Sequence, residues 1–207
     1  MKVKEVEFKG LRFLSKNELV EKIDIRYDGN LFIIDLKSLE RGFKNFPLIK
    51  KFSITETGQR LVITIIENDP QFLLAFRDEN YFIPFEMDAQ FRIISVKRVH
   101  LFNKPVIVIS KSEIRKGKSS NRLKNFFKLM EELADINLSV YNEIVEIDLT
   151  DFHRAVILLK DRKTRFILKP VKDFFLKLNH FVGYLDRVRY YPDYLHIIGA
   201  SAVINSR

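Results

Sequence analysis

Leu14-Ser15-Lys16-Asn17-Glu18-Leu19-Val20-Glu21-Lys22-Ile23 decides how the first third of the chain is read. Ser15 followed three residues later by Glu18 is a capping box. The hydroxyl of such a serine takes a backbone N–H of the first turn, and the glutamate reaches back to the N–H of the cap. Leu14 is placed to staple onto Leu19, and Leu19, Val20 and Ile23 line one face of a short helix.

Outward from that helix the elements follow in a fixed order. Upstream, Val3 to Phe8 alternates loosely and stops at Lys9-Gly10, which predicts a strand and a turn. Downstream, Asp28-Gly29-Asn30 is a turn cluster, and the apolar Leu31-Phe32-Ile33-Ile34 leads to Asp35, a good cap for a second helix. Leu36, Leu39 and Phe43 share one face of it, and Pro47 ends it. Ile49 to Ile54 and Leu61 to Ile66 predict two strands around a Thr57-Gly58 turn, closed by Glu67-Asn68-Asp69-Pro70. Strand, helix, helix, strand, strand makes a complete small unit over 1–70.

Past Pro70 the pattern is strand-rich. Gln71 to Arg77, Tyr81 to Pro84, Phe91 to Val96 and Pro105 to Ser110 predict strands. Asn121 to Ala134 predicts an amphipathic helix with Leu123, Phe126, Phe127, Met130 and Leu133 inward. Leu138 to Asp148, Arg154 to Lys160 and Thr164 to Leu168 read as a meander. Pro170 then opens a helix carrying Phe174, Phe175, Leu178 and Phe181. Val188 to Tyr191 and Leu195 to Val203 are the last predicted strands. The fold class expected is α+β: a β-α-α-β-β domain over 1–70 and a mostly antiparallel β domain with flanking helices over 71–207.

Composition agrees with this division and narrows the chemistry. Apolar residues at 46% can supply a core, and 207 residues suit one or two domains of roughly 150 residues each. The absence of cysteine excludes disulfide scaffolds, thiol catalysis and Cys-ligated zinc. A net charge of +9 favours anionic partners, although the Lys- and Phe-rich, Trp-free composition also suits an AT-rich coding sequence. The best apolar runs, such as Leu31 to Ile34 and Val106 to Ile109, fall far short of the ~20 residues of a spanning helix.

Enzymatic signals are weak. Gly117-Lys118-Ser119 follows a strand and precedes a helix, like the tail of a phosphate-binding loop, but Ser112 stands where the first glycine is needed. His100, His153, His180 and His196 show no metal-ligand spacing, and Asp148, Asp151 and Asp161 sit where turns use aspartate. Neither a nucleophile elbow nor a Ser-x-x-Lys motif is present. A basic run, Lys111, Arg115, Lys116, Lys118, Arg122, Lys124 and Lys128, suits a solvated loop or an acidic membrane surface better than nucleic acid, since Phe126 and Phe127 are spaced for a core. The chain is read as non-enzymatic, with no cofactor and no metal.

The first 70 residues resemble a POTRA domain, and the whole chain resembles the extracytoplasmic region of the division proteins FtsQ/DivIB. The resemblance is carried by Val3 to Gly10, Leu14-Ser15 with Glu18-Leu19, Asn30 to Asp35, Phe46 to Phe52, and Leu61 to Glu67 with Pro70. In the second domain it rests on Met87-Asp88-Ala89-Gln90-Phe91, Lys104 to Ile107, Tyr141 to Ile147 and Val188-Arg189-Tyr190. Gln90 is matched to the family's usual glycine, and Arg187 to a usual acid, with Asp186 one place off. The family carries a cytoplasmic tail and one membrane helix ahead of the first POTRA strand. The resemblance thus implies a periplasmic ectodomain trimmed of its anchor.

It further implies a divisome scaffold that binds FtsB and FtsL and helps regulate septal peptidoglycan synthesis. The physical means would be strand addition at a sheet edge formed by Leu195 to Val203, including Ile197, Ile198 and Ala200. Tyr190, Tyr191, Tyr194 and Leu195 would act as anchors. In the family, the helix before this strand shares the FtsB contact, which brings in Phe181 and Tyr184. A second docking edge, for other division proteins, is implied at Ile49, Lys50, Lys51 and Phe52, where the lysines could equally keep an edge strand soluble. The alternatives are a POTRA docking module of outer-membrane assembly, which usually carries several such units and a barrel, and a nucleotide-binding protein using the Gly117 loop.

Overall fold

A computed structural model describes residues 1–23, 25–77, 81–101, 103–115, 118–136 and 138–205. They form two compact units, Met1–Pro70 and Gln71–Arg207.

The first unit begins with β1 (Lys2–Val3) and β2 (Glu5–Lys9), followed by α1 (Lys16–Lys22). Both halves of the capping box are made: Glu18 N–H donates to Ser15 Oγ at 3.3 Å, and Ser15 N–H donates to Glu18 Oε2 at 2.8 Å. Then come β3 (Ile25–Asp28), β4 (Leu31–Ile34), α2 (Leu36–Lys44), β5 (Ile49–Thr57) and β6 (Arg60–Glu67). Asp35 caps α2 through Lys37 N–H, and Leu39 and Phe43 are buried, whereas Leu36 is exposed. The main sheet has the order β2-β6-β5, with β2 parallel and β5 antiparallel to β6. Leu61, Ile63 and Ile65 of β6 alternate inward, and Leu19, Ile23 and Leu39 are buried as well. The β3-β4 hairpin joins β1 in a second, three-stranded sheet. Its turn was legible in Asp28-Gly29-Asn30, but its strands were not.

Two contacts lock this unit. Glu67 closes β6 and accepts three backbone N–H groups from the loop before α1: Arg12 at 3.1 Å, Phe13 at 2.7 Å and Leu14 at 3.0 Å. Gly10 turns out of β2 at φ +80°, so close to β6 that a Cβ would stand 2.2 Å from the Ile65 carbonyl oxygen. Only glycine fits there.

The second unit opens with β7 (Phe72–Arg77), β8 (Phe82–Met87), β9 (Ile93–Val96) and β10 (Val106–Ile109). After a single 3-10 turn, β11 (Ile114–Arg115) and β12 (Lys118–Ser119) make a small ladder before α3 (Asn121–Ile136) and α4 (Leu138–Glu143). The chain continues through β13 (Ile144–Asp148), β14 (Ala155–Leu159), β15 (Arg165–Leu168), α5 (Phe174–Val188), β16 (Tyr194–Ile198) and β17 (Ser201–Asn205). Nine strands form one sheet in the order β17-β16-β15-β14-β13-β10-β7-β8-β9. Five of its pairings are antiparallel; β7-β10, β10-β13 and β15-β16 are parallel. The α+β class expected from the sequence is the one observed.

Several elements differ from the sequence reading. Leu138 to Glu143 is helical rather than strand, with Val140 and Ile144 buried four residues apart. Helix α5 starts at Phe174, four residues past Pro170, and runs through Val188. Its apolar face of Phe174, Phe175, Leu178, Val182 and Leu185 carries the last turn on, and Arg189 ends it in the left-handed conformation. No strand therefore forms over Val188 to Tyr191. In α3, Leu123, Phe126, Phe127 and Met130 are buried as expected, while the side chains of Leu133 and Ala134 lie outside the described residues.

The Asp88 turn also differs. Asp88 is buried and accepts the N–H groups of Gln90 at 2.9 Å and Arg92 at 3.0 Å, while Phe91 N–H donates to its carbonyl. This winding puts the left-handed residue at Phe91, with φ +59°, and not at Gln90. The Phe91 ring offsets the strain: it stacks on Phe72 and Phe127 at 5.7 and 5.2 Å.

Candidate functional site: the β16-β17 edge

The last predicted strand is a hairpin. Ile198 pairs with Ser201 across the two-residue turn Gly199-Ala200, and Gly199, at φ +62°, stands first in it, as a type II′ turn prefers. β16 lies between β15 and β17; Leu195 and Ile197 are buried, Leu195 paired with Phe166 and Ile204 and Ile197 with Ala202. The edge strand is β17, and Ala200 belongs to the turn rather than to a strand. A single Leu195 to Val203 strand is therefore corrected to two.

Register decides what the edge offers. In an antiparallel hairpin closed by a two-residue turn, the closing pair is hydrogen-bonded, and such pairs alternate along the ladder. Ser201, Val203 and Asn205 consequently direct their backbone groups to β16. Ala202 and Ile204 direct theirs outward, where no further strand lies among the described residues. The exposed side chains of Val203 and Ile204 flank this open ladder.

Helix α5 packs on the same core as β16. Phe181 is partly buried against that core, whereas Tyr184 is 53% exposed. Leu176, Tyr184 and Val188 recur at i, i+8 and i+12 as exposed apolar side chains on one side of α5. Leu176 and Val188 were not singled out from the sequence. Their signal was the interval of four, shared with His180.

The tyrosines divide into two kinds. Tyr191 donates to Asp186 Oδ1 at 2.8 Å, under the Arg162 guanidinium 5.5 Å from its ring. Arg162 holds Asp186 through both terminal nitrogens and reaches Glu143 Oε2 at 3.2 Å. The Arg162 hydrogen bond holds the Asp186 carboxyl below its ordinary range, and Asp186 in turn pushes the Tyr191 phenol up. Tyr194 lies 5.7 Å under Arg165. Tyr191 and Tyr194 thus fasten the segment between α5 and β16, helped by Thr164 Oγ1, which donates to the Pro192 carbonyl at 2.5 Å. Tyr184, Tyr190 and also Tyr191 are exposed.

Residues 49–52 lie on β5, an edge strand of the first unit. Lys50 and Lys51 are exposed, and the register shifts between Ile49 and Lys51. The Phe52 ring meets Phe43 edge-on at 5.1 Å, so it serves the core and not the edge.

The phosphate-loop motif leads nowhere among the described residues. Lys116 and Gly117 lie outside them, and Lys118-Ser119 pairs with Ile114-Arg115. Arg122 is spent on Glu113 and on the carbonyls of Leu149 and Asp151. His100 Nδ1 lies 2.5 Å from the buried Glu86, which also accepts the N–H groups of residues 100 and 101; the pair pins that loop. Among the described residues there is no cluster of three potential metal ligands and no helix long and apolar enough to cross a membrane.

The first unit sets β2, α1, α2, β5 and β6 around the sheet β2-β6-β5, with the β3-β4 hairpin between the two helices. Residues 1–68 match the family model of the POTRA domain, FtsQ-type. The first unit is therefore an FtsQ-type POTRA domain, which bears out the resemblance to the FtsQ/DivIB family. No curated protein matches the chain. Domains of this type are extracytoplasmic, generally non-enzymatic scaffolds tied to cell division through protein–protein contacts.

Proposed function

We propose that the chain is the ectodomain of a bitopic divisome scaffold at the periplasmic face of the inner membrane. It captures FtsB- and FtsL-like partners by adding one of their segments to β17, and so helps regulate septal peptidoglycan synthesis. The observation that carries the reading is the open ladder of β17: unpaired outward backbone groups at Ala202 and Ile204 beside exposed Val203 and Ile204. Tyr184, Tyr190 and Tyr191 are the exposed aromatic anchors near it in sequence, Tyr191 being also tied to Asp186, while Tyr194, Leu195 and Ile197 hold the edge in place. On β5 the two lysines and the register shift favour an edge kept from pairing, so docking of other division proteins at Ile49 to Phe52 is secondary to capture at β17.

Register makes the test specific. Ile204→Pro removes an outward donor and leaves the β16 ladder intact, since proline is tolerated where the N–H faces solvent. In calorimetric titration against the extracytoplasmic FtsB–FtsL complex of the same organism, Ile204→Pro weakens binding at least about tenfold through the lost hydrogen bond and the ring's clash with an incoming strand. Ile204→Ala retains most of the affinity. Wild-type affinity in both Ile204→Pro and Ala202→Pro would sink the strand-addition reading.

A further inference from the structure

The basic run of the second unit gathers around one cavity. A space of about 500 Å³ opens between the β11-β12 ladder, the start of α3 and the loop after β13, where Ser112, Arg115, Lys118, Asn121 and Phe152 line it. Arg115 and Lys118 stand opposite each other across the ladder, and neither has an acidic partner among the described residues. Like charges so placed repel, and an anion between them removes the cost. Asn121, Lys124 and Lys128 fall at i, i+3 and i+7, so the positive charge continues along the first two turns of α3. The acid in the cavity wall is already neutralised: Glu113 is buried, takes Arg122 at 2.6 Å and accepts the Ser120 hydroxyl.

Phe152 is the second feature. At 68% exposure it is the most exposed large apolar side chain among the described residues. Its ring is held in place, with the Arg122 guanidinium 4.9 Å from its centre and the His153 ring edge-on at 5.3 Å. A protein interface sets its aromatic anchors inside a wider apolar patch, but the rest of this lining is polar or charged. The boundary of a bilayer suits a lone aromatic ring at headgroup level with Lys and Arg beside it. A small inorganic anion would use the cations and leave the ring in water.

We propose that this cavity docks the chain on an anionic phospholipid bilayer. A headgroup phosphate enters between Arg115 and Lys118, and Phe152 sinks to the acyl boundary beside it. The proposal rests on the anchored-ectodomain reading only for a bilayer being within reach, and on the cavity for its chemistry.

The full chain is sedimented with phosphatidylcholine vesicles that contain or lack phosphatidylglycerol. Binding that requires phosphatidylglycerol and fades at high salt is expected. At about fivefold per basic side chain near the surface, Arg115→Gln with Lys118→Gln weakens it about twenty-five-fold. Both positions are exposed, so the fold is kept. Lys50→Gln with Lys51→Gln removes the same charge from β5 and is expected to weaken binding about twofold at most. The chain has no tryptophan, so Phe152→Trp supplies a single reporter, whose emission should shift to the blue and be quenched by brominated acyl chains. Absence of phosphatidylglycerol-dependent binding overturns the proposal. An equal loss in the β5 variant also overturns it, since the attraction would then belong to net charge and not to the cavity. Vesicle binding with unchanged reporter emission overturns the entry of Phe152. Capture of polyglutamate where vesicles fail gives the surface to an acidic protein and overturns the lipid. All of these outcomes are independent of FtsB–FtsL capture, which Ile204→Pro tests separately.

Discussion

Replacing Phe91 with glycine and with alanine separates the two energies that meet at that residue. Both substitutions delete a half-buried ring that stacks on Phe72 and Phe127. A buried Phe→Ala change costs ~3–5 kcal/mol; taking about half for partial burial and adding two ring contacts gives a loss of about 3 kcal/mol. The backbone at φ +59° works the other way. An L-residue pays ~1–2 kcal/mol there and glycine does not, but glycine gives back ~0.5–1 kcal/mol in chain entropy. The alanine variant is therefore expected about 3 kcal/mol below wild type, with the glycine variant between the two, higher than alanine by about 0.5–1 kcal/mol. Amide hydrogen exchange of β7 and α3 in the full chain reads this as opening equilibria differing by roughly twofold to fivefold between Gly and Ala. An alanine variant as stable as the glycine one would refute a strained turn. A glycine variant as stable as wild type would refute the contribution of the stack.

Three further outcomes are expected. Gly10→Ala forces a Cβ onto the Ile65 carbonyl and holds alanine at φ +80°, for a loss of about 3 kcal/mol, visible as faster exchange of the β6 amides. Glu67→Ala strands three N–H donors, one of them buried, and costs about 2–4 kcal/mol; protease susceptibility of the Arg12–Leu14 loop should rise, and unchanged cleavage would contradict the clamp. Asp186 has a depressed folded pKa. Its contribution is thus complete above its unfolded value near about pH 4 and is lost as pH falls through the lower folded value. Asp186→Asn should flatten the acid limb of a melting-temperature profile and bring the raised Tyr191 phenol back toward about 10 in an ultraviolet titration; an unchanged profile would contradict the pairing.

Local signals carried most of the POTRA unit. Ser15 with Glu18 and Asp35 before Leu36 are caps whose chemistry is complete within a few residues, and both helices start there. Reading failed where tertiary packing overrode propensity. Val188 to Tyr191 is β-prone, yet α5 continues because Val182 and Leu185 are anchored in the core. The β16-β17 hairpin was legible in principle, since Gly199 at the start of a two-residue loop is a turn signal, but the apolar run on both sides hid it. The Arg162–Asp186–Tyr191 lock joins residues 24 and 5 apart in sequence, with no pattern to announce it. Its effect on the site is direct: Tyr191, one of the expected anchors, is tied to Asp186.

The nine-stranded sheet ends in β17 on one side and β9 on the other, with eight interstrand gaps between them. At about 4.8 Å per gap the two rims lie roughly 38 Å apart along the sheet. A rotation of roughly 20–25° per gap turns one rim's strand direction by about 160–200° relative to the other. Because five of the eight pairings also reverse the chain, β17 and β9 then run in nearly the same direction on opposite rims. The sheet works as a rigid spacer with two opposed ends, and whatever β17 captures is set well away from everything β9 faces.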